Sequence, residues 1–254
     1  MIELPRNLFK QRLLAGESQI GLWCISSSPY ATEVVAGSGF DWLLIDTEHS
    51  PGGLETTLAQ LQAMAPYPTQ PVVRPESNDP VLIKKLLDVG AQTLLVPFVQ
   101  TVEEAKAAVA AMRYAPAGIR GVAGTTRATR FGRVRDYFAR AHEELCLLVQ
   151  IETREALGRL EAIAAVDGVD GVFIGPNDLA ASLGHVGEMG HPEVVTAVLA
   201  AIQRLKAVGK PSGVYAPADF ARRCIALGTT FTAVGGDMGI LARGTEVLAA
   251  QFKS

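Results

Sequence analysis

Eight short, almost purely apolar segments recur along the chain, and alanine-rich stretches with helical periodicity run between them. The segments are QIGLWC (19–24), DWLLID (41–46), QPVVR (70–74), QTLLVP (92–97), LCLLVQIE (145–152), DGVFIG (170–175), SGVY (212–215) and FTAVG (231–235). A strand with one wet face alternates apolar and polar residues. These segments do not, so each is expected to be a strand covered on both faces. Several intervening stretches start at a capping Asp, Ser or Thr and stop at Gly, as DPVLIKKLLDVG does between Asp79 and Gly90. Eight β/α units in 254 residues, without a linker to split them, predict one (β/α)8 TIM barrel domain over residues 1–254. An open doubly wound sheet competes, but no G-x-G-x-x-G turn follows the first strand.

A barrel of this kind carries its chemistry at the C-terminal ends of the strands. There the sequence places Trp23 on the first strand, Asp46, Glu48 and His49 after the second, and Arg74 on the third. The fourth delivers Pro97, Phe98 and Gln100, the fifth Gln150 and Glu152, and the sixth runs into Gly175-Pro176-Asn177-Asp178. Tyr215 and the Gly235-Gly236-Asp237 turn close the ring.

Glu152 and Asp178 end adjacent strands one repeat apart, and two carboxylates with open positions suit Mg²⁺ or Mn²⁺. Each is also placed to cap the helix that follows it. Arg74, set between Val73 and Pro75, requires an anion there, either a substrate or a structural ion-pair partner. Asp46 is expected to orient His49 and raise its basicity for general-base work. A zinc-ligand role for His49 competes, weakened because His142, His185 and His191 make no recognisable ligand set with it. The lysines fall in helices, near the termini or before the seventh strand, so none is placed to form a Schiff base. Carbonyl chemistry in this barrel therefore needs a metal as electron sink.

A formal charge of −3 offers no basic footprint, which argues against a nucleic-acid partner. The three cysteines are far apart and lack metal-site spacing. No apolar run reaches the ~18 residues of a membrane span. A cytoplasmic chain without a membrane partner is expected. The stretch 114–142 is too long for a plain barrel connection. Its glycines and arginines allow either interface or lid packing or direct anion binding.

DWLLIDTEHSP, QPVVRPESNDPVLIKKLLDVGAQTLLVP, RYAPAGIRGV, LLVQIETREAL and GVDGVFIGPNDLAASLG together resemble the HpcH/HpaI aldolase family. The likeness implies a metal-dependent class II pyruvate aldolase with Mg²⁺, Mn²⁺ or Co²⁺ as cofactor. Its substrate would be a 4-hydroxy-2-oxo acid cleaved to pyruvate and an aldehyde. For 4-hydroxy-2-oxoheptanedioate the aldehyde is succinate semialdehyde, a step in aromatic-compound catabolism. A 2-keto-3-deoxy sugar acid such as 2-keto-3-deoxyrhamnonate or 5-keto-4-deoxyglucarate is the alternative, and a keto-acid-binding protein without turnover a distant one. Carried onto this chain, the family's metal ligands fall on Glu152 and Asp178, and its pyruvate contacts on Arg74 and Gln150. Its catalytic Asp and His fall on Asp46 and His49, and an Asp that reaches a neighbouring subunit's pocket falls on Asp88. Asn177 stands where relatives often carry a small residue, and Trp23 is a further expected substrate contact. The resemblance also implies a homohexamer, a trimer of dimers, with the last helix exchanged between partners.

Overall fold

The structure is a computed structural model and describes residues 2–253. Its strands are β1 (Gln19–Cys24), β2 (Trp42–Asp46), β3 (Gln70–Arg74), β4 (Thr93–Val96), β5 (Cys146–Ile151), β6 (Gly171–Ile174), β7 (Ser212–Tyr215) and β8 (Phe231–Gly236). They pair in parallel and in sequence order, and β8 closes on β1. The expected (β/α)8 barrel is therefore the observed one, and no strand end differs from its expected segment by more than one residue. The helix Pro80–Asp88 shows the local logic. Asp79 caps it by accepting from the amides of Val81 and Leu82 at 2.8 and 2.9 Å, and Gly90, at φ 99°, turns the chain out of it.

The strands do alternate, but both phases are apolar. On β2, Trp42 and Leu44 point into the barrel, while Leu43 and Ile45 pack beneath the surrounding helices. Val72 and Val73 divide in the same way on β3, as do Leu148 and Val149 on β5. Phe9 and Leu13 of the helix Leu8–Leu14 join the inner cluster, packing with Trp42 and Phe231. Gly21 and Gly213 make room for those rings, since a Cβ at either would overlap Trp42 or Phe231. This phase decides the site. Continuing it past the apolar layers brings Asp46, Arg74, Gln150 and Glu152 to the inner face at the C-terminal rim.

The insertion 114–142 packs against the barrel. Leu4, Ala128, Val134, Tyr137 and Ala141 form a small core of their own. Arg120, its side chain fully buried, reaches Asp88 at 2.8 Å, and Arg127 donates to the Val89 carbonyl at 2.9 Å. Both partners lie at the C-terminal end of a barrel helix, and so at the end of the barrel opposite the strand C-termini. The last helix, Asp237–Ala250, contrasts with the others: none of its residues is buried, and Ile240, Leu241, Val247 and Leu248 are exposed. No helix among the described residues is long and apolar enough to cross a membrane.

Candidate active site

One cleft of about 390 Å³ opens at the C-terminal rim, bordered by Trp23, Asp46, His49, Arg74, Gln150, Asn177 and Asp178. Tyr215, Phe173 and Gly175 complete its wall, and no lysine borders it.

Asp46 and Arg74 organise the β2–β3 side. Arg74 donates through Nε and Nη2 to the two oxygens of Asp46 at 2.9 and 2.6 Å. Its Nη1 meets Glu48 at 2.8 Å, and its guanidinium carbon lies 5.0 Å from the centre of the Trp23 ring. Trp23 Nε1 donates to Asp46 Oδ2 at 3.1 Å. Burial pushes the Asp46 carboxyl up, but the hydrogen bonds and charge of Arg74, with Trp23 and the Glu48 amide, outweigh it and hold Asp46 below the usual carboxylate range. Asp46 is thus a fixed anion, and Arg74 a cation held in one orientation with N–H groups to spare.

The expected Asp46–His49 pairing is not formed. Asp46 points inward and its oxygens are taken by Arg74, Trp23 and the amides of Glu48 and His49. The His49 ring stands out on the turn, 66% exposed, and the carboxylate near it is Glu48, at 3.9 Å. Glu48, expected only to stand at the rim after the second strand, bridges Arg74 and His49. It sits above its ordinary range because burial and the charges of Asp46 and Asp178 outweigh Arg74 and His49.

Glu152 is buried beneath the cleft. Its Oε2 accepts from Gln150 Nε2, its Oε1 accepts from the Phe98 amide at 2.9 Å, and a Cβ on Gly175 would collide with it. Burial above all pushes Glu152 up to about 7, with Asp178 and Glu48 adding to the effect against the Gln150 and Phe98 hydrogen bonds. Neither proposed metal carboxylate is a cap. Thr153 caps the helix Arg154–Leu157, accepting from the Ala156 amide at 3.1 Å, and Gly175 occupies the cap position of the helix Pro176–Ser182. The charge of Asp178 acts on Glu152, so the two carboxylates are neighbours, a donor set that fits a hard divalent ion.

Two features had no sequence signal. Phe98 adopts a left-handed backbone at φ 54°, which aims its amide at Glu152. Asp237 tethers the loop after β1 through the amides of Ile25 and Ser26 at 3.0 and 3.1 Å. Asp88 is not brought to this cleft. It pairs with Arg120 at the other end of the barrel.

The sequence model of the family described as HpcH/HpaI aldolase/citrate lyase matches residues 19–243. The chain belongs to that family. It is 67% identical over 252 residues to a pyruvate aldolase of Rhizobium etli, covering 99% of both chains. It is 59% identical over 248 residues to a 4-hydroxy-2-oxo-heptane-1,7-dioate aldolase of Klebsiella pneumoniae, covering 97% of this chain and 94% of the relative. A crystal structure of a family protein from Burkholderia cenocepacia superposes with a TM-score of 0.93 at 39% identity, covering 98% of this chain and 100% of that one. The chain is an aldolase, a carbon–carbon lyase.

Proposed function

We propose that the chain is a class II pyruvate aldolase that cleaves 4-hydroxy-2-oxo acids, with 4-hydroxy-2-oxoheptanedioate as its substrate. One observation carries this reading: the Asp178 carboxylate, a fixed guanidinium and an exposed imidazole border one cleft that no lysine lines, and the buried Glu152 carboxylate lies against its Gln150 and Gly175 wall. The substrate is the one that names the Klebsiella pneumoniae relative. Glu152 and Asp178 would hold a divalent ion, Mg²⁺, Mn²⁺ or Co²⁺, which supplies Lewis acidity toward the 2-oxo group.

The remaining chemistry belongs to the chain's own side chains. Arg74, held by Asp46 and Glu48, presents its free N–H groups to the substrate's 1-carboxylate and 2-oxygen. Gln150 lines the floor, its amide pointed by Glu152, and Asn177 and Trp23 border the space left for the rest of the substrate. A ring nitrogen of His49 takes the proton of the C4 hydroxyl. The C3–C4 bond then breaks, its electron pair passing through C3–C2 to the 2-oxygen, and an aldehyde leaves. The pyruvate enolate takes a proton at C3 to give pyruvate. For the heptanedioate the aldehyde is succinate semialdehyde.

Assembly as a homohexamer, a trimer of dimers, fits the same reading. The last helix leaves its apolar face without a partner in its own chain, so exchange with a second copy would cover it. Asp88, remote from its own cleft, would meet only the cleft of another copy. The three buried free cysteines suit a reducing cytoplasm. The test of substrate class is pyruvate release from a panel containing the heptanedioate, 2-keto-3-deoxyrhamnonate and 5-keto-4-deoxyglucarate. The heptanedioate is expected to give the highest kcat/KM, and a clear preference for either sugar acid would overturn the substrate assignment.

A further inference from the structure

A second set of metal-ligating side-chain types lies outside the cleft, on the segment that joins the helix Pro176–Ser182 to the helix Pro192–Ala207 and on the first turn of the latter. His185, His191 and Glu193 bring one donor atom each to within 4.8 Å of one another. We propose that they form a site for a borderline transition-metal ion, Zn²⁺ or its neighbours Co²⁺ and Ni²⁺, separate from the carboxylate site of the cleft.

The donors are chemically distinct from those of the cleft. Two imidazoles and one carboxylate favour Zn²⁺, Co²⁺ and Ni²⁺ over Mg²⁺, and three protein ligands leave a position for water. The geometry is close to what such an ion needs. His185 Nε2 lies 2.9 Å from Glu193 Oε2. Bonds of about 2.1 Å at a tetrahedral ion separate neighbouring donors by about 3.4 Å, so this pair has to open by only about half an ångström. Glu193 Oε1 is held by Arg154 at 3.2 Å, which fixes the carboxylate while leaving Oε2 to the ion. The two imidazoles lie face to face, ring centres 3.5 Å apart and planes within 18°, which brings their nitrogens near one another. Because an ion binds in the plane of each imidazole, one ring has to turn about its side-chain torsions as the ion enters. His191 Nδ1 accepts from the Glu193 amide at 3.3 Å, a long bond that is cheap to give up.

The backbone holds this arrangement ready. Gly184 and Gly187, at φ 91° and 80°, turn the segment back on itself. The His185 amide donates to the Ala180 carbonyl at 2.8 Å, and the His191 amide to that of Glu188 at 2.8 Å. The His185 side chain is 24% and that of Glu193 48% exposed, so an ion enters without the segment opening.

The experiment is a calorimetric titration of tag-free, full-length protein with Zn²⁺, in excess Mg²⁺ to fill the cleft site. About one equivalent of Zn²⁺ per chain is expected for the wild type and for Glu152→Gln. At least about tenfold weaker binding is expected for His185→Ala and for His191→Gln. Circular dichroism and melting without Zn²⁺ show which variants remain folded, and the partly exposed His185 makes the first of them the safer one. Zn²⁺ binding that is undiminished in both folded variants, or no Zn²⁺ binding by the wild type, overturns the proposal.

Discussion

Asp46 and Arg74 are register partners across β2 and β3, and their side chains close a two-pronged ion pair of 2.9 and 2.6 Å at the floor of the cleft. Both are almost fully removed from solvent, so the pair fixes the direction of the guanidinium instead of adding much net stability. Replacing Arg74 by Lys keeps the charge and loses the fork. It is expected to lower kcat/KM by about 10²- to 10³-fold, with a raised KM for the oxo acid. Steady-state kinetics check this, and a variant within threefold of wild type would remove Arg74 from substrate binding.

Asp46→Asn acts through Arg74. The guanidinium loses half of its anchoring charge while remaining buried, and about 3 kcal/mol of stability is expected to go with it. Urea denaturation measures the loss. Activity is expected to fall as well, because the freed Arg74 no longer faces the substrate in one orientation.

The barrel was legible because its strands are bare apolar runs bounded by polar rims, and every one of the eight expected segments is a strand. The rim residues were legible for the same reason: each follows directly from where an apolar run stops. What the pattern hid was the phase. With Leu43 and Leu44 both apolar, nothing in WLLID tells which side faces the barrel interior, and Asp46 falls inward beside Arg74 instead of pairing with the His49 ring. The part Glu48 plays is not legible in the sequence because its partner Arg74 comes from the neighbouring strand, a contact that local spacing does not encode. The left-handed Phe98 was invisible because its conformation answers to Glu152, far along the chain.

His49→Ala separates base from ligand. His49 lies on the turn beyond Asp46, with Glu48 as its near carboxylate. The variant is expected to bind a divalent ion as the wild type does while losing about 10²- to 10⁴-fold in kcat. Calorimetry and turnover together decide; a lost metal would make His49 a ligand.

The buried carboxylates set a pH dependence. Glu152 is pushed up to about 7 in the folded chain, above its ordinary value of 4.5. Between those values the folded state keeps a proton that the unfolded state has lost, so the metal-free chain loses stability as pH rises through about 7. A divalent ion takes the ionised form, and its stabilising effect grows over the same interval. Melting with EDTA and with Mg²⁺ at about pH 5.5 and about pH 8 is expected to show the larger Mg²⁺-induced rise in Tm at the higher pH. An equal rise at both would mean that Glu152 does not titrate against the ion.

Gly175→Ala tests the packing of the same carboxylate. The new Cβ meets Glu152 Oε2 and the Gln150 amide from above. Divalent-ion affinity is expected to fall by at least about tenfold while the barrel still folds. Unchanged affinity would place the ion away from Glu152.

Pyruvate release from 4-hydroxy-2-oxoheptanedioate, followed with and without EDTA and after Mg²⁺ or Mn²⁺ is restored, bears on the whole mechanism at once. Turnover is expected to vanish when the metal is stripped and to return when it is added back. Full activity in metal-free protein would contradict a class II aldolase built on Glu152 and Asp178.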